Sequence, residues 1–309
     1  MKRYSFFSIF SMLFLVNSTS LPKANFSQYI PFIAKKLEQE TIQKEYPAKA
    51  NNIITVKDTV GSIEIKTWKE KKISLIATKK APKPEMLASI AMEDKTNADG
   101  IVITTNGPKD TKIEMDYTLI VPADSHVNLV TQRGNIKVSG INGRICATTD
   151  KGNIEVAQAS NTVIATANSN GSIIINQAKG NTKATTCKGN IIINDAHNSV
   201  IAFTDNGNID IKNACVPATS KINCETKYGF ITLKLPQEVN ANLKASANKG
   251  TVTSQHPITL KQRTTKLDSA AWKQLKTQVD GILGSGEANI VLTTNKGNIK
   301  ILESKTKTI

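Results

Sequence analysis

The clearest feature of the chain is a short alternation of apolar and other positions that follows a glycine. In each copy, a branched aliphatic residue stands two positions after the glycine and another stands four positions after it. The residue between them varies from charged to aliphatic, so a period of two predicts a β-strand that buries one side. Five consecutive copies begin at Gly134, Gly152, Gly171, Gly189 and Gly207.

A second alternation precedes each glycine and predicts a second strand in every copy. Its inward positions are expected seven, five and three residues before the glycine, which in the third copy are Ile164, Thr166 and Asn168. The five glycines follow one another at intervals of 18, 19, 18 and 18 residues. A fixed period near twenty with two strands predicts an all-β chain wound as a parallel β-solenoid, or β-helix, with coils stacked about 4.8 Å apart.

A coiled repeat also explains why glycine and asparagine recur together at the turn. The glycine suits a turn that requires a positive φ. The residue after it is repeatedly asparagine, and stacked asparagines can form a hydrogen-bonded ladder along the solenoid. Because this column recurs coil after coil, we interpret it as structural rather than catalytic. Its members are Asn135, Asn153, Asn190, Asn208 and Asn298.

Outlying copies of the motif extend the repeat in both directions. They begin at Gly61, Gly229, Gly250 and Gly297. We therefore assign residues 49–132 to N-terminal strands and an irregular cap, and residues 133–256 to regular repeats of 18–22 residues. Residues 287–303 are expected to form the final coil, followed by a tail at 304–309.

Residues 257–286 interrupt the repeat and predict one short C-terminal helix. Trp272, Leu275, Val279 and Ile282 occur at helical spacing, and Gly284 can end the helix. We expect this helical insertion to pack against the solenoid as a cap.

The N-terminus has the pattern of a cleaved export signal. Lys2 and Arg3 precede an apolar run from Phe6 to Val16, and small residues follow up to position 24. We assign residues 1–24 to the signal peptide and 25–48 to a polar leader, in which one short helix containing Phe32, Ile33, Leu37 and Ile42 is expected. No cysteine lies near the cleavage region, so a lipid anchor is not expected, and no later segment is long and apolar enough to span a membrane. The mature protein is predicted to lie in the periplasm, at the cell surface or outside the cell.

Export would permit disulfides among the four cysteines. Cys215 and Cys224 bracket the irregular step before Gly229, and their sequence positions are equally consistent with a bridge and with two free thiols. Cysteine and histidine do not occur at zinc-ligand spacings, so neither a metal nor another cofactor is predicted.

The chain carries a formal charge of +15, which is scattered rather than concentrated in one block. Scattered charge does not indicate a specific nucleic-acid-binding arm, but it favours polyanions at short range. The residue before the repeat glycine is often basic, and a column in sequence becomes a line along a solenoid. This line is either a solvated turn or a binding track for an anionic polysaccharide or another envelope polymer. Its basic members are Arg133, Lys151, Lys188, Lys249 and Lys296.

The ordered set of motifs resembles a bacterial family of adhesin-like proteins with β-strand repeats, the domain of unknown function 4097, which is related to the GIN domain of auto-transporter adhesin heads. The resemblance rests on the opening segment 56–65, the Val-Pro end of segment 117–122, the repeated Thr-x-x-Gly-Asn-Ile-x-Val units and the closing segment 286–301. It covers most of residues 50–303. It implies a right-handed β-solenoid of the kind found at cell surfaces, and it brings no catalytic residues.

Three functions remain open from the sequence. The first is an exported, non-enzymatic solenoid that binds a surface or envelope polymer. The second is a β-helical lyase or glycosidase, which needs carboxylates clustered in one groove. Glu155 and Asp210 are expected three coils apart, roughly 14 Å, which is too far for a catalytic pair. The third is a scaffold that assembles through its coil ends.

Overall fold

The computed structural model of the protein describes residues 37–107, 112–213, 215–261 and 276–304. In these residues the chain forms two β-sheets and one four-residue helix, α1 (Pro84–Leu87), and Lys276 and Thr277 are also helical. The predicted signal peptide at 1–24 and the first part of the leader lie outside the described residues, as do Trp272 and Leu275 of the predicted helix.

The first sheet has twelve strands and contains the strand that follows each repeat glycine. In spatial order the strands are β1 (Glu38–Pro47), β4 (Lys72–Ala81), β7 (Glu114–Pro122), β3 (Ile63–Trp68), β9 (Ile136–Ser139), β11 (Ile154–Ala159), β13 (Ile173–Ala178), β15 (Ile191–Ala196), β17 (Ile209–Asn213), β19 (Ile231–Leu235), β25 (Ile299–Glu303) and β21 (Val252–Ser254).

The second sheet has thirteen strands and contains the strand that precedes each glycine. In spatial order the strands are β22 (Thr259–Leu260), β23 (Gln278–Leu283), β20 (Ala241–Lys249), β24 (Ala288–Lys296), β18 (Lys221–Tyr228), β16 (Val200–Asn206), β14 (Thr182–Lys188), β12 (Val163–Asn170), β10 (Ile145–Lys151), β8 (His126–Arg133), β2 (Ile53–Val60), β6 (Gly100–Asn106) and β5 (Ala91–Thr96).

The central strands of both sheets pair in parallel with their equivalents in the next coil, which confirms the predicted β-solenoid. For example, Ile173 pairs with Ile191 and Ile175 with Ile193 in the first sheet. These aliphatic side chains are fully buried and face the second sheet, so the alternation in sequence is the alternation between core and surface. Alanine at the middle inward position of several second-sheet strands, including Ala184, keeps the space between the two sheets narrow.

The third copy departs from the predicted register. Its inward residues are Val163, Ala165 and Ala167, all fully buried, and not Ile164, Thr166 and Asn168. This coil is one residue longer than its neighbours, and the pairing of β10 with β12 shifts after Thr149 to absorb the extra residue. The inward positions predicted for this copy were therefore wrong by one residue, because the bulge lies between the inward residues and the glycine.

The repeat glycines form a continuous column in which successive backbones nearly touch. A Cβ added at Gly207 would lie 1.9 Å from the carbonyl oxygen of Gly189, and one at Gly189 would lie 2.2 Å from that of Gly171. No side chain fits at this distance, so close approach explains the glycine even where φ is extended. An inward threonine bonds the same carbonyls, as where Thr204 Oγ1 donates to the Gly189 oxygen at 3.1 Å.

The asparagine column forms the predicted ladder, although its bonds run from side chain to backbone. Asn135 Oδ1 accepts from the Asn153 amide at 2.8 Å, and Asn153 Oδ1 accepts from the Ser172 amide at 2.8 Å. Asn190 Oδ1 accepts in the same way from the Asn208 amide. Each rung satisfies a backbone donor at the turn, which supports the structural interpretation of this column.

The order of the coils at both ends differs from the order of the chain. At the N-terminal end, Gly61 takes its place in the glycine column next to Gly134, so the outlying copy is a true coil of the stack. At the C-terminal end, β24 and β25 lie between the coil of Gly229 and the coil of Gly250. The segment predicted as the final coil, 287–303, is thus last in sequence but inserted within the stack.

Antiparallel strands flank the N-terminal end of both sheets and the C-terminal end of the second sheet, and they correct the predicted bounds of two helices. The leader was expected to contain a short helix, but Ile42 lies in β1, which pairs antiparallel with β4. Lys276 and Thr277 are helical, as predicted for this segment, but the helix ends before Val279 and Ile282, which lie in β23 and pair antiparallel with β20. At these positions hydrogen bonding to an open sheet edge outweighs the helical spacing of the apolar residues.

Candidate polyanion-binding edge

The predicted line of basic residues exists as a geometric feature, and we call its five members, Arg133, Lys151, Lys188, Lys249 and Lys296, the basic edge. Strand register places one residue of this column on each coil. Along the stack the column reads Arg133, Lys151, Asn170, Lys188, Asn206, Tyr228, Lys296 and Lys249.

The basic edge has two pairs of neighbouring cations separated by coils with a neutral residue. Arg133 and Lys151 are directly paired in register, and so are Lys296 and Lys249. The insertion of β24 creates the second pair, since sequence order alone would have put Lys249 next to Tyr228. Lys188 stands alone between the two asparagines of the column.

The cations of the basic edge are not neutralised within the described part of the protein. None of the five forms an ion pair with a described carboxylate. Other surface lysines do: Lys137 lies 3.4 Å from Glu155, and Lys227 lies 2.7 Å from Asp205. The latter pair stands in the column beside the basic edge, where it contributes no net charge.

The column on the other side of the glycines is almost entirely neutral, because it is the asparagine ladder. Ser62, Ser172 and Thr251 take the asparagine position in three coils, and one coil has the apolar residue Phe230 there. Tyr228 occupies the basic edge position of the same coil, and the Lys296 ammonium lies 5.1 Å from the centre of its ring. Cations with no ion pair to a described carboxylate and two exposed aromatic rings therefore lie in the two columns that flank the glycines.

Comparison with known proteins identifies the family. The Toastrack DUF4097 family model matches residues 38–302, which includes both sheets. The chain belongs to the Toastrack DUF4097 family. No curated protein matches it.

Three solved structures are similar to this Toastrack chain in fold. A putative adhesin from Bacteroides fragilis is 16% identical, with 85% of this chain and 97% of that chain covered and a TM-score of 0.45. One from Parabacteroides distasonis is 10% identical, with coverage of 84% and 97% and a TM-score of 0.36. A putative cell adhesion protein from Clostridium sporogenes is 12% identical, with coverage of 87% and 100% and a TM-score of 0.28.

The cysteines of the Toastrack domain are free, so of the two alternatives left open for Cys215 and Cys224 the structure has the free thiols. Cys224 is fully buried at an inward position of β18, paired in register with Ala202. Burial raises the pKa of its thiol. Cys215 is exposed at the opposite end of the irregular step, where its Sγ contacts the His197 carbonyl oxygen at 3.2 Å. One residue faces the core and the other faces solvent, which sequence spacing could not reveal.

An acidic residue takes the inward threonine position in the coil of Gly61. Asp58 is buried, its Oδ1 accepts a hydrogen bond from Thr105 Oγ1 at 2.6 Å, and its Oδ2 has no hydrogen-bond partner. Thr105 Oγ1 also lies 2.7 Å from the Tyr117 hydroxyl. Burial raises the pKa of Asp58 to about 6, although hydrogen bonds to the carboxylate oppose the shift. Sequence reasoning missed this site, whose only signal was the aspartate in a threonine column.

No helix among the described residues is long and apolar enough to cross a membrane. Within the same residues, histidine, cysteine and carboxylate side chains do not gather in groups of three or more that could hold a metal ion.

Proposed function

We propose that this Toastrack protein is an exported, non-enzymatic, adhesin-like β-solenoid that binds an anionic polysaccharide or another anionic envelope polymer along the basic edge. The observation that carries the proposal is the line of five cations at one position of the stack, none of them paired with a described carboxylate. Export is supported by the charged and apolar pattern of the first 24 residues.

A linear polyanion suits this arrangement better than a small anion does. Neighbouring coils are spaced by about 4.8 Å, so successive cations can contact successive charges of one extended chain. Each contact at an exposed side chain is weak and is screened by salt. Several such contacts on one polymer add through the high effective concentration of the second after the first has formed.

The positions of Glu155 and Asp210 do not support a glycosidase or lyase function. Glu155 and Asp210 are separated by the coils of Ile174 and Ile192, so they stand three coils apart. Each is also within ion-pair distance of a lysine: Asp210 lies 3.3 Å from Lys234. A glycosidase needs two carboxylates that flank one bond, and this pair does not provide that geometry.

A scaffold that grows by stacking coil ends is disfavoured by the edge strands. At the N-terminal end, β1 and β5 are antiparallel additions that differ from the repeated parallel coils. Lys44 of β1 forms an ion pair with Asp94 of β5, which joins the two edges. Charged, irregular edge strands discourage pairing with another copy.

Replacement of Arg133, Lys151 and Lys188 together by glutamine tests the binding proposal. We expect elution from heparin and polygalacturonate columns at a markedly lower salt concentration than the parent protein, because three contacts of a multivalent site are lost. The matched control replaces Lys57, Lys183 and Lys244 by glutamine. These lysines are also exposed and lie outside the basic edge on the second sheet.

Both triple variants lower the net charge equally, so a general charge effect would move both by the same amount. Equal retention of the two variants would therefore refute the basic edge as a binding site. Thermal unfolding of both variants within a degree or two of the parent excludes loss of the fold. Fractionation of cells that produce the chain with its intact N-terminus tests export.

A further inference from the structure

Two exposed aromatic rings stand on one turn, with Tyr228 in the column of the basic edge and Phe230 across the glycine in the asparagine column. Tyr228 is 48% exposed and Phe230 is 52% exposed, which makes Phe230 the most exposed of the large hydrophobic residues in the described part of the chain. Gly229 lies between them at the turn, so both rings project from the same coil. Paired aromatic rings in contact with water mark a binding surface more often than single ones do.

The backbone at this turn is held as firmly as in the other coils. The Phe230 amide donates to Asn208 Oδ1 at 2.9 Å, and the Phe230 carbonyl accepts from the Ile209 amide at 2.9 Å. The Tyr228 carbonyl accepts from the Gly207 amide at 3.0 Å. The rings are therefore presented by a fixed backbone, which limits the conformational entropy that a ligand would have to overcome.

Phe230 also interrupts the asparagine ladder. Asparagine at this position would offer its Oδ1 to the next coil, as Asn208 does to Phe230 and Asn298 does to the Thr251 amide at 2.9 Å. Phenylalanine has no acceptor, so this rung cannot form. A residue that gives up a hydrogen bond of the repeat and leaves half of its ring exposed points to a function at this coil.

Two cations follow Tyr228 along its column on the side of the inserted coil. The Lys296 ammonium lies over the Tyr228 ring, and Lys249 follows in the next coil. The neutral amide Asn206 precedes Tyr228 on the other side. Cations, amide groups and flat apolar rings along one line match a polymer with carboxylates or sulfates, hydroxyl groups and apolar ring faces.

We propose that Tyr228 and Phe230 stack on the sugar rings of an acidic polysaccharide, whose acidic groups contact Lys296, Lys249 and the remaining basic edge. The inference rests on the proposed function and narrows its ligand to a polyanion built from pyranose rings. Single-stranded nucleic acid fits less well, because binding along such a strand uses aromatic residues under successive bases, whereas the aromatic pair here occupies one coil.

The substitutions that test this proposal replace the aromatic residues by the residue typical of the repeat, so they do not disrupt the coil. In the double variant Tyr228→Asn with Phe230→Asn, both positions receive the residue that the coil of Gly207 has there, Asn206 and Asn208, and the missing rung of the ladder can form. The variant is therefore expected to fold at least as stably as the parent. The matched control is Val291→Asn, which removes an exposed apolar residue from β24 that lies outside the edge.

Affinities are measured at one low salt concentration for polygalacturonate, inorganic polyphosphate and poly(dT). We expect the double variant to bind polygalacturonate about ten-fold more weakly, a loss typical of removing two aromatic contacts. Polyphosphate, which has charge but no rings, should change by less than two-fold. The control should leave all three affinities unchanged.

Each other outcome overturns the inference in a distinguishable way. Unchanged affinity for polygalacturonate, with weaker binding by the basic-edge triple variant, would refute the stacking role and leave the proposed function standing. An equal loss for polygalacturonate and polyphosphate would mean that the rings only support the cations. A loss confined to poly(dT) would assign the rings to nucleic acid. A parent protein that binds no polyanion would refute both proposals.

Discussion

Replacement of Gly207 by alanine tests the central feature of the stack, the contact between successive turn backbones. The added Cβ would lie 1.9 Å from the Gly189 carbonyl oxygen and 3.3 Å from the Asn190 amide nitrogen. Ordinary contact begins near 3.4 Å, so the two coils must separate by about 1.5 Å at this turn. The atoms that the Cβ would meet belong to the backbone and not to a flexible side chain, so the clash cannot be relieved by a change of rotamer.

The cost follows from the hydrogen bonds that cross this step. They are Gly189 amide to Asn206 oxygen, Ile191 amide to Asn208 oxygen, Asn208 amide to Asn190 Oδ1, and Thr204 Oγ1 to Gly189 oxygen, all at 2.8–3.1 Å. A separation of about 1.5 Å breaks most of them. At about 1 kcal/mol for each bond, the expected loss of unfolding free energy is about 3 kcal/mol.

Urea unfolding followed by circular dichroism measures this loss. The control is Gly107→Ala, the same chemical change at a glycine whose added Cβ would meet its nearest atom, the Ser89 oxygen, at an ordinary 3.4 Å. Its unfolding free energy should change by less than about 1 kcal/mol, since reduced freedom of the unfolded chain offsets small adjustments. Equal effects of Gly207→Ala and Gly107→Ala would refute the close approach of the coils.

Three further experiments test the core, a buried carboxyl and the thiols. Ile191→Asp places an unpaired charge at a fully buried position and should lower the unfolding free energy by about 4 kcal/mol or more, whereas Asp210→Asn removes one exposed ion pair and should cost less than about 1 kcal/mol in the same urea assay. The folded-state pKa of Asp58 is about 6, above its ordinary value of 3.8, so its stabilising protonation is complete below the unfolded pKa and is lost as the pH rises through 6. Relative to Asp58→Asn, the parent should therefore lose roughly 1 kcal/mol between pH 5 and pH 7.5, and a constant difference would contradict the buried pKa. A maleimide reagent should label Cys215 within minutes and Cys224 only on unfolding, as measured by mass spectrometry. Rapid labelling of Cys224 in the folded protein would place its thiol outside the core.

The structure of a single coil could be predicted from the sequence, because its strands and turn depend on local patterns that recur in every copy. The inward positions around Gly189, such as Ile191 and Ile193, are fixed by a period of two that several copies repeat. The exception was the third copy, where Ala167 rather than Asn168 faces the core. A single extra residue can bulge at any point between a strand and its glycine, and the alternation on either side does not say where.

The order of the coils could not be read from the repeat. Gly250 and Gly297 offer the same columns to a neighbour, so either coil could pair with that of Gly229. The antiparallel strand β23, which follows the segment 262–275 outside the described residues, occupies the free side of β20 and leaves the inserted position to β24. Edge strands such as β1 were missed for the same reason, since their pairing depends on which sheet edge is open.

This order decides what the candidate site can do. Lys296 reaches the Tyr228 ring only because its coil is inserted beside that of Gly229, so the grouping of cations and rings is a property of the fold rather than of the repeat. The column from Arg133 to Lys249 spans seven coil steps, roughly 34 Å at about 4.8 Å per step. An oligosaccharide much shorter than this span contacts either the Arg133 pair of cations or the Lys296 pair with its aromatic rings. A longer polymer contacts both, so the avidity of the edge should rise steeply with polymer length until the whole span is covered.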